Sequence, residues 1–439
     1  MKKRMLALIA LLSISCNLVT GRPPATPVTF PNSTVDVPAP SPTAMTPFEG
    51  LKRPFPQHVS LAPGSILPDH RSQAQLDEDA RAFYDYWKAA YVIDAGPSAN
   101  GNPMYRIAFG KDQPGRDTTV SEGQGYGMII VPLMGGYDEE AQQIFDGLWE
   151  FARTHPSVVD PRLMDWNIPD TENGNESAFD GDADIAYGLL LADAQWGSAG
   201  QINYKAEAET LMRAVLESTI GPESHLPMLG DWTDPYGEVY NENTPRSSDF
   251  MLVNFRAFGR ATRDPVWSDI IWQSQYVMKE IQTNYSPRSG LMPDFIVLAG
   301  DAHIPQPAPP EFLEGPHDGH FNYNAGRVPW RVGSDAVLND DAASRVIAQR
   351  ISRWIESSAN GDPANIRAGY DLDGNPLPDS DYFTTFFVAP MGVAAMTVPD
   401  QQEWLNAIYD SVYDEHVDYY EDSVNLLCLL TMSGNAWTP

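Results

Sequence analysis

From about Pro54 to the end of the chain, apolar residues return mostly every three or four positions, in one segment after another. In "AQQIFDGLWEFA" Ile144, Leu148 and Phe151 fall on one helical face, and in "WLNAIYDSV" Leu405, Ile408 and Val412 do the same. Further helices are expected over roughly 72–91, 124–134, 181–197, 204–218, 248–262, 266–284, 341–357, 382–396 and 423–433, the last stopped by Gly434. Two more are expected in the loop-rich stretches near 160 and 330. Short β pieces are expected in "NPMYRIAF" and around "LMPDFIVL". About a dozen helices, each with an apolar stripe to bury, restrict the chain to an all-α assembly packed helix on helix. No internal repeat is visible, which excludes a solenoid.

The connections are of very uneven length, and the long ones are aromatic and acidic: "LMDWNIPDTENGNESAFDGDAD", "MLGDWTDPYGEVYNENTPRSSD" and "DAHIPQPAPPEFLEGPHDGHFNYNAGRVPW". Loops of this length inside a domain are functional or disordered, and their tryptophan and tyrosine content argues for order. The expected picture is a rigid helical scaffold rimmed by carboxylates and rings. With 59 acidic against 28 basic residues, a net −31, the surface repels phosphate backbones, so nucleic acid is not an expected partner.

Residues 1–21 combine a basic tip (Lys2, Lys3, Arg4) with an apolar run too short to span a bilayer, the pattern of an export signal. Small residues ending in Cys16 resemble a bacterial lipoprotein cleavage box, so a lipid anchor at Cys16 is the expected contact with a membrane. Residues 22–53 are rich in Pro, Thr and Ser and are expected to be a disordered tether, leaving 54–439 as the folded domain. Cys428, the other cysteine, sits in "SVNLLCLLTM" and is expected to be a buried small hydrophobe, not half of a disulfide.

The chemistry on offer is carboxylates and aromatics. Nucleophile elbow, phosphate loop and metal-ligand spacings are all missing from the sequence. "DGDADIAYGLLL" begins like a calcium loop, but Ile185 and Leu191 stand where Gly and Glu are needed. Its Asp180, Asp182 and Asp184 are better placed at the start of a helix, where acids suit the positive end and one can cap. Their crowding also raises proton affinity, as a site requires. No metal and no cofactor are expected, and the two histidines of "HDGH" are expected to be loop polar residues. Glu122 stands alone among small residues and glycines in "TTVSEGQGYGM". Trp166, Trp232 and Tyr323 lie in acidic loops off any periodic face and are candidate platforms for sugar rings. Ser248 and Asp249 are candidate helix caps.

These segments together resemble glycoside hydrolase family 8. "SAFDGDADIAYGLLLADAQW" resembles that family's signature, with Phe179 and Gly188 departing from it. "TVSEGQGYGM", "RSSDFMLVNFRAF", "YNAGRVPWR" and "YDLDGNPL" resemble further family segments in the expected order, so the likeness runs from Pro54 onward. The resemblance implies an (α/α)6 barrel whose long loops form an open substrate cleft. It implies Glu122 as general acid and Asp180 as the aspartate at the cleavage point, with Tyr126, Asp182, Tyr187 and Arg327 in the site. The usual base position holds Asn324, which cannot take a proton from water. The chain resembles a branch with Asn there that takes its base from a Phe-Leu-Glu-Gly run, and "EFLEGPHDG" supplies Glu314, with Glu311 and Asp318 as alternatives.

The activity implied by the resemblance is that of an exported, endo-acting, inverting glycosidase, a monomer working on β-1,4 bonds of a cellulosic or mixed-linkage glucan. A chitosanase on the same scaffold is the alternative. A binding lipoprotein that has lost its chemistry is the alternative of another class, kept open by Asn324.

Overall fold

The computed structural model describes residues 51–110, 115–169 and 174–439. The export signal, Cys16 and most of the tether lie outside the described residues. Twelve α-helices are present among the described residues, and the way each distributes its apolar side chains sorts them into two rings. Helices α1 (Gln73–Tyr91), α3 (Ala141–Thr154), α5 (Tyr204–Ser218), α7 (Val266–Asn284), α9 (Ala342–Ser358) and α11 (Gln402–Val412) each bury one face. A one-faced helix is stable only with water on its other side, so these six form the outer wall.

The inner ring is α2 (Ser121–Leu133), α4 (Phe179–Trp196), α6 (Leu252–Thr262), α8 (Val328–Asn339), α10 (Thr385–Ala395) and α12 (Tyr419–Met432). Five of these are buried nearly all round. The exception is α6, whose Arg256 leans outward to Asp335 and Asp341. Each inner helix touches the next around a closed ring, α12 back on α2, and each packs against one or two outer helices. This is an (α/α)6 barrel. Because an outer helix returns the chain between successive inner ones, all six inner helices run the same way. Their N-terminal ends share one mouth.

The opposite end is closed by the first described residues. Orphan carbonyls at helix C-termini need donors. The N–H groups of Lys52, Phe55, Val59, Ala62 and Ile66 reach the carbonyls of Gln195, Gly135, Gly434, Val337 and Met396, at the ends of α4, α2, α12, α8 and α10. Arg53 adds a bond to the Thr438 carbonyl, with its guanidinium 4.7 Å from the Trp437 ring. Lys52 and Arg53, which the sequence places in the tether, are therefore part of the fold.

Three two-stranded antiparallel ribbons decorate the loops: β1 (Val92–Pro97) with β2 (Pro103–Ile107), β3 (Thr119–Val120) with β4 (Asn167–Ile168), and β5 (Ile296–Ala299) with β6 (Ile304–Pro307). Two lie where strands were expected. A helix near 330 is present as α8, whereas the stretch near 160 forms turns and a Pro156–Met164 bridge. Helix α2 starts at Ser121, earlier than its apolar run, and α12 starts at Tyr419 because Asp418 accepts the N–H groups of Tyr420 and Glu421. Cys428 is fully buried in α12.

Candidate active site

Every inner helix delivers its first residues to the barrel mouth. Glu122 is the second residue of α2 and Asp180 the second of α4, while Asn324 and Arg327 immediately precede α8 and Tyr419 opens α12. The guanidinium of Arg327, only 1 % exposed, is the hub that joins them. It contacts a Glu122 carboxylate oxygen and donates to Asp180 Oδ2 at 2.8 Å, to Ser248 Oγ at 2.9 Å and to Asn324 Oδ1 at 2.9 Å. The Asn324 amide then donates from Nδ2 to Glu314 Oε2 at 2.7 Å. Glu122 and Glu314 are thus tied to one another through an arginine and an amide.

Glu122 also accepts from Tyr126 Oη at 3.1 Å and Tyr419 Oη at 3.4 Å. Burial pushes its proton affinity up, Arg327 opposes that, and the Asp180 charge adds to it, leaving the carboxyl above its ordinary range. Asp180 goes the other way. Burial works against its charge, but Arg246, 3.0 Å away, and Arg327 hold it well below the carboxylate range. Asp180 thus takes most of the positive charge. Two arginines face four carboxyls here (Glu122, Asp180, Asp249, Glu314), so an acid beyond the first two has reason to keep a proton. Glu122 is the more reachable of the pair, its side chain 17 % exposed against 4 % for Asp180.

Glu314 is raised chiefly by burial, with Arg246 and the Asn324 hydrogen bond opposing. Its loop is held from beneath. Asp318 Oδ2 accepts the N–H groups of Leu313 and Glu314 at 2.7 and 3.0 Å, and Asp318 Oδ1 accepts that of Gly315 at 3.0 Å. Tyr240 Oη donates to the Phe312 carbonyl at 2.8 Å, and Trp232, Tyr240 and Phe312 pack as a small cluster over Leu229, Phe295 and Ala308. Asp318 is therefore spent on backbone, and Glu311 is exposed with a left-handed backbone (φ 59°). Neither stands beside Asn324 as Glu314 does.

The three acids at the start of α4 part company, because residues two apart on a helix point to different sides. Asp184, one turn below Asp180, is gripped by Arg331 at 2.7 and 3.1 Å and by Asn254 at 2.8 Å. Asp182, assigned to the substrate, is instead fully buried toward the outer wall, where Oδ1 accepts from Met164 N–H at 2.8 Å. Tyr187 also leaves the mouth: it lies seven residues farther down α4 than Asp180, about 10 Å along the axis. Its hydroxyl is 3.5 Å from the Trp437 carbonyl near the closed end. Ser248 and Asp249 do not cap α6, which begins at Leu252; Ser248 bonds Arg327, and Asp249 bonds Arg246 at 3.1 Å.

Of the three expected platforms, Trp166 is half-buried and its carbonyl accepts the Ser121 N–H at 2.9 Å, next to Glu122. Trp232 is half-buried in the cluster that braces the Glu314 loop. Tyr323 stacks on Phe386 (10° between planes) and shares a 2.8 Å bond with the exposed Tyr382. Two members of the site went unremarked in the sequence, Arg246 and Tyr419. Arg246 opens the segment "RSSDFMLVNFRAF" and could have been found there; Tyr419, nearly 300 residues after Glu122, carries no local signal.

A toroid of inner helices with paired, protonatable carboxylates at its mouth, and an arginine holding a third carboxylate ionised, defines an acid–base hydrolase of the barrel type. The chain belongs to glycosyl hydrolases family 8, whose model matches residues 72–434, and it is a glycoside hydrolase. It is similar to a protein named beta-glucanase from Niallia circulans, 38 % identical over 89 % of this chain and 93 % of that one. It is also similar to an endoglucanase from Bacillus sp. (strain KSM-330), 37 % identical over 88 % of this chain and 82 % of that one. A solved structure of a beta-1,3-1,4-glucanase from Paenibacillus sp. X4, 38 % identical, superposes with a TM-score of 0.83 over 88 % of this chain and all of that one.

Proposed function

We propose that the protein is an exported endo-acting β-glucanase that inverts the anomeric centre, with Glu122 as general acid and Glu314 as general base. The observation that carries this is the bonded path from Glu122 through Arg327 and Asn324 to Glu314. In this scheme Glu122 gives its proton to the glycosidic oxygen as the bond to the anomeric carbon breaks. Glu314 takes a proton from the water whose oxygen bonds that carbon from the opposite face. The two carboxyl groups of such a pair stand roughly 6.5–9.5 Å apart, to leave room for the water. Asp180, kept ionised by two arginines, offers a fixed negative charge to the positive character that develops on the sugar ring. Asn324 cannot accept a proton from water, but it donates to Glu314 and so favours the charged form that a base needs.

The naming of the similar proteins supports a β-glucan, cellulosic or mixed-linkage, over chitosan. An export signal followed by a tether is consistent with work on a polymer outside the cell, with Cys16 as the point of attachment. Glu122→Gln and Glu314→Gln should each reduce turnover of lichenan or carboxymethyl cellulose on the order of 10²- to 10⁴-fold, with oligosaccharide binding retained. NMR of the first product formed should show the inverted anomer. Ordinary turnover by Glu314→Gln would remove that residue from the role, and release of reducing sugar from chitosan alone would move the substrate to glucosamine polymers.

A further inference from the structure

Outside the barrel, on α7, two aromatic rings stand in solvent where an outer helix has every reason to be polar. Trp272 is 61 % exposed and Tyr276 40 %. They are one turn apart, their planes 6° from parallel and their centroids 5.6 Å apart. The opposite face of the same helix supplies the packing, through Trp267, Ile270, Val277, Met278 and Ile281, so the pair is not needed for the core. Single exposed apolar residues are ordinary, but adjacent parallel rings make a patch, and patches mark contacts. The exposed stripe continues in polar residues on both sides, Ser268 and Asp269 before the rings and Lys279 after them.

We propose that Trp272 and Tyr276 form a second carbohydrate-binding site, which holds a neutral polysaccharide chain against the outer wall, away from the mouth. Parallel rings offer flat apolar faces to the apolar faces of sugar rings, and the flanking polar side chains can bond hydroxyls. The charge of the chain argues for this occupant: at −31, a second copy or an anionic surface is repelled, and an uncharged glycan is not. Such a site would keep the enzyme on an insoluble or long polymer between cleavage events, because two linked contacts bind far longer than one. The choice of polymer rests on the β-glucan reading; the site itself rests on the rings.

The test uses the full chain carrying Glu122→Gln to prevent turnover, with and without Trp272→Ala and Tyr276→Ala, in affinity electrophoresis through gels of mixed-linkage β-glucan, carboxymethyl cellulose or chitosan. Loss of the rings should weaken retention in whichever gel holds the parent by about tenfold. With Glu122 intact, the same two substitutions should leave kcat/KM on a short soluble oligosaccharide unchanged. Equal migration of both proteins in every gel that retards the parent would overturn the proposal. So would a dimer of the parent in sedimentation that the ring substitutions dissolve, because the occupant would then be a second copy. Cleavage by the Glu122-intact protein confined to chitosan, with ring-dependent retention still seen in the uncharged mixed-linkage gel, would overturn the β-glucan reading and leave the second site standing.

Discussion

Glu122 has no base within reach along the sequence, and its neighbours are small residues and glycines. In the fold it meets Arg327, two tyrosine hydroxyls and the charge of Asp180. Its proton affinity is therefore set by a contest, in which burial and Asp180 outweigh an arginine already engaged by Asp180. Glu314 is the mirror case, raised by burial and pulled back by the Asn324 amide. A hydrogen bond to a charged group favours the charged form, so deleting the amide should raise the proton affinity of Glu314 further. The base works ionised, so Asn324→Ala should move the acid limb of the kcat/KM profile up by roughly one pH unit, and the alkaline limb less. An acid limb that stayed put, or moved down, would mean that the amide does not tune the base.

At the scale of helices, the glycines around Glu122 have a use that their sequence position did not suggest. They lie inside α2, not in a turn, and they let helices touch. A Cβ on Gly125 would sit 2.7 Å from the Asp184 Cβ and 3.0 Å from the Gly181 carbonyl oxygen, and one on Gly181 would sit 2.6 Å from the Ser121 Cβ. Gly188, where the family signature carries Ser or Ala, meets α2 in the same way, 2.6 Å from the Met128 carbonyl oxygen. Phe179, the other departure, is fully buried edge-on against Phe255 of α6. The closeness of α2 and α4 is what lets one guanidinium reach both Glu122 and Asp180. Gly125→Ala should therefore cost about 1–3 kcal/mol of stability and lower turnover, because the helices must separate. Gly200→Ala, whose Cβ would meet nothing within 4 Å, should be near neutral in the same thermal melts.

For the molecule as a whole, the two ends of the barrel have different work. One end gathers six helix N-termini, which favour negative charge and ionised Asp180 in particular. The other gathers helix C-termini, and residues 52–66 cross it and satisfy five of its carbonyls. Removing residues 1–50 should leave melting temperature and turnover as they are. Removing residues 1–66 strips those donors and the Arg53 contacts, and should lower the melting temperature by several degrees, each lost buried bond costing about 0.5–1.5 kcal/mol. Equal melting of the two truncations would show that the crossing segment is dispensable. The described chain also begins at the closed end, opposite the mouth.

Much of this was legible in order along the chain. Helical periodicity alone named most of the twelve helices, since each must bury a stripe whatever its neighbours are. Through the resemblance to family 8, the motif around Glu122, the acid-led start of α4 and the Phe-Leu-Glu-Gly loop pointed to the proposed acid, Asp180 and the proposed base. The first two stand at helix starts and Glu314 in a loop, where side chains are free to act. Which way a side chain points, and what meets it, was left to the packing. A helix turns about 100° per residue, so of three acids two apart one faced the mouth, one the outer wall and one the barrel interior. The partners that decide protonation, Arg246 and Arg327, arrive from segments scores or hundreds of residues away. Their fields act through space, at distances only the closed ring of helices sets.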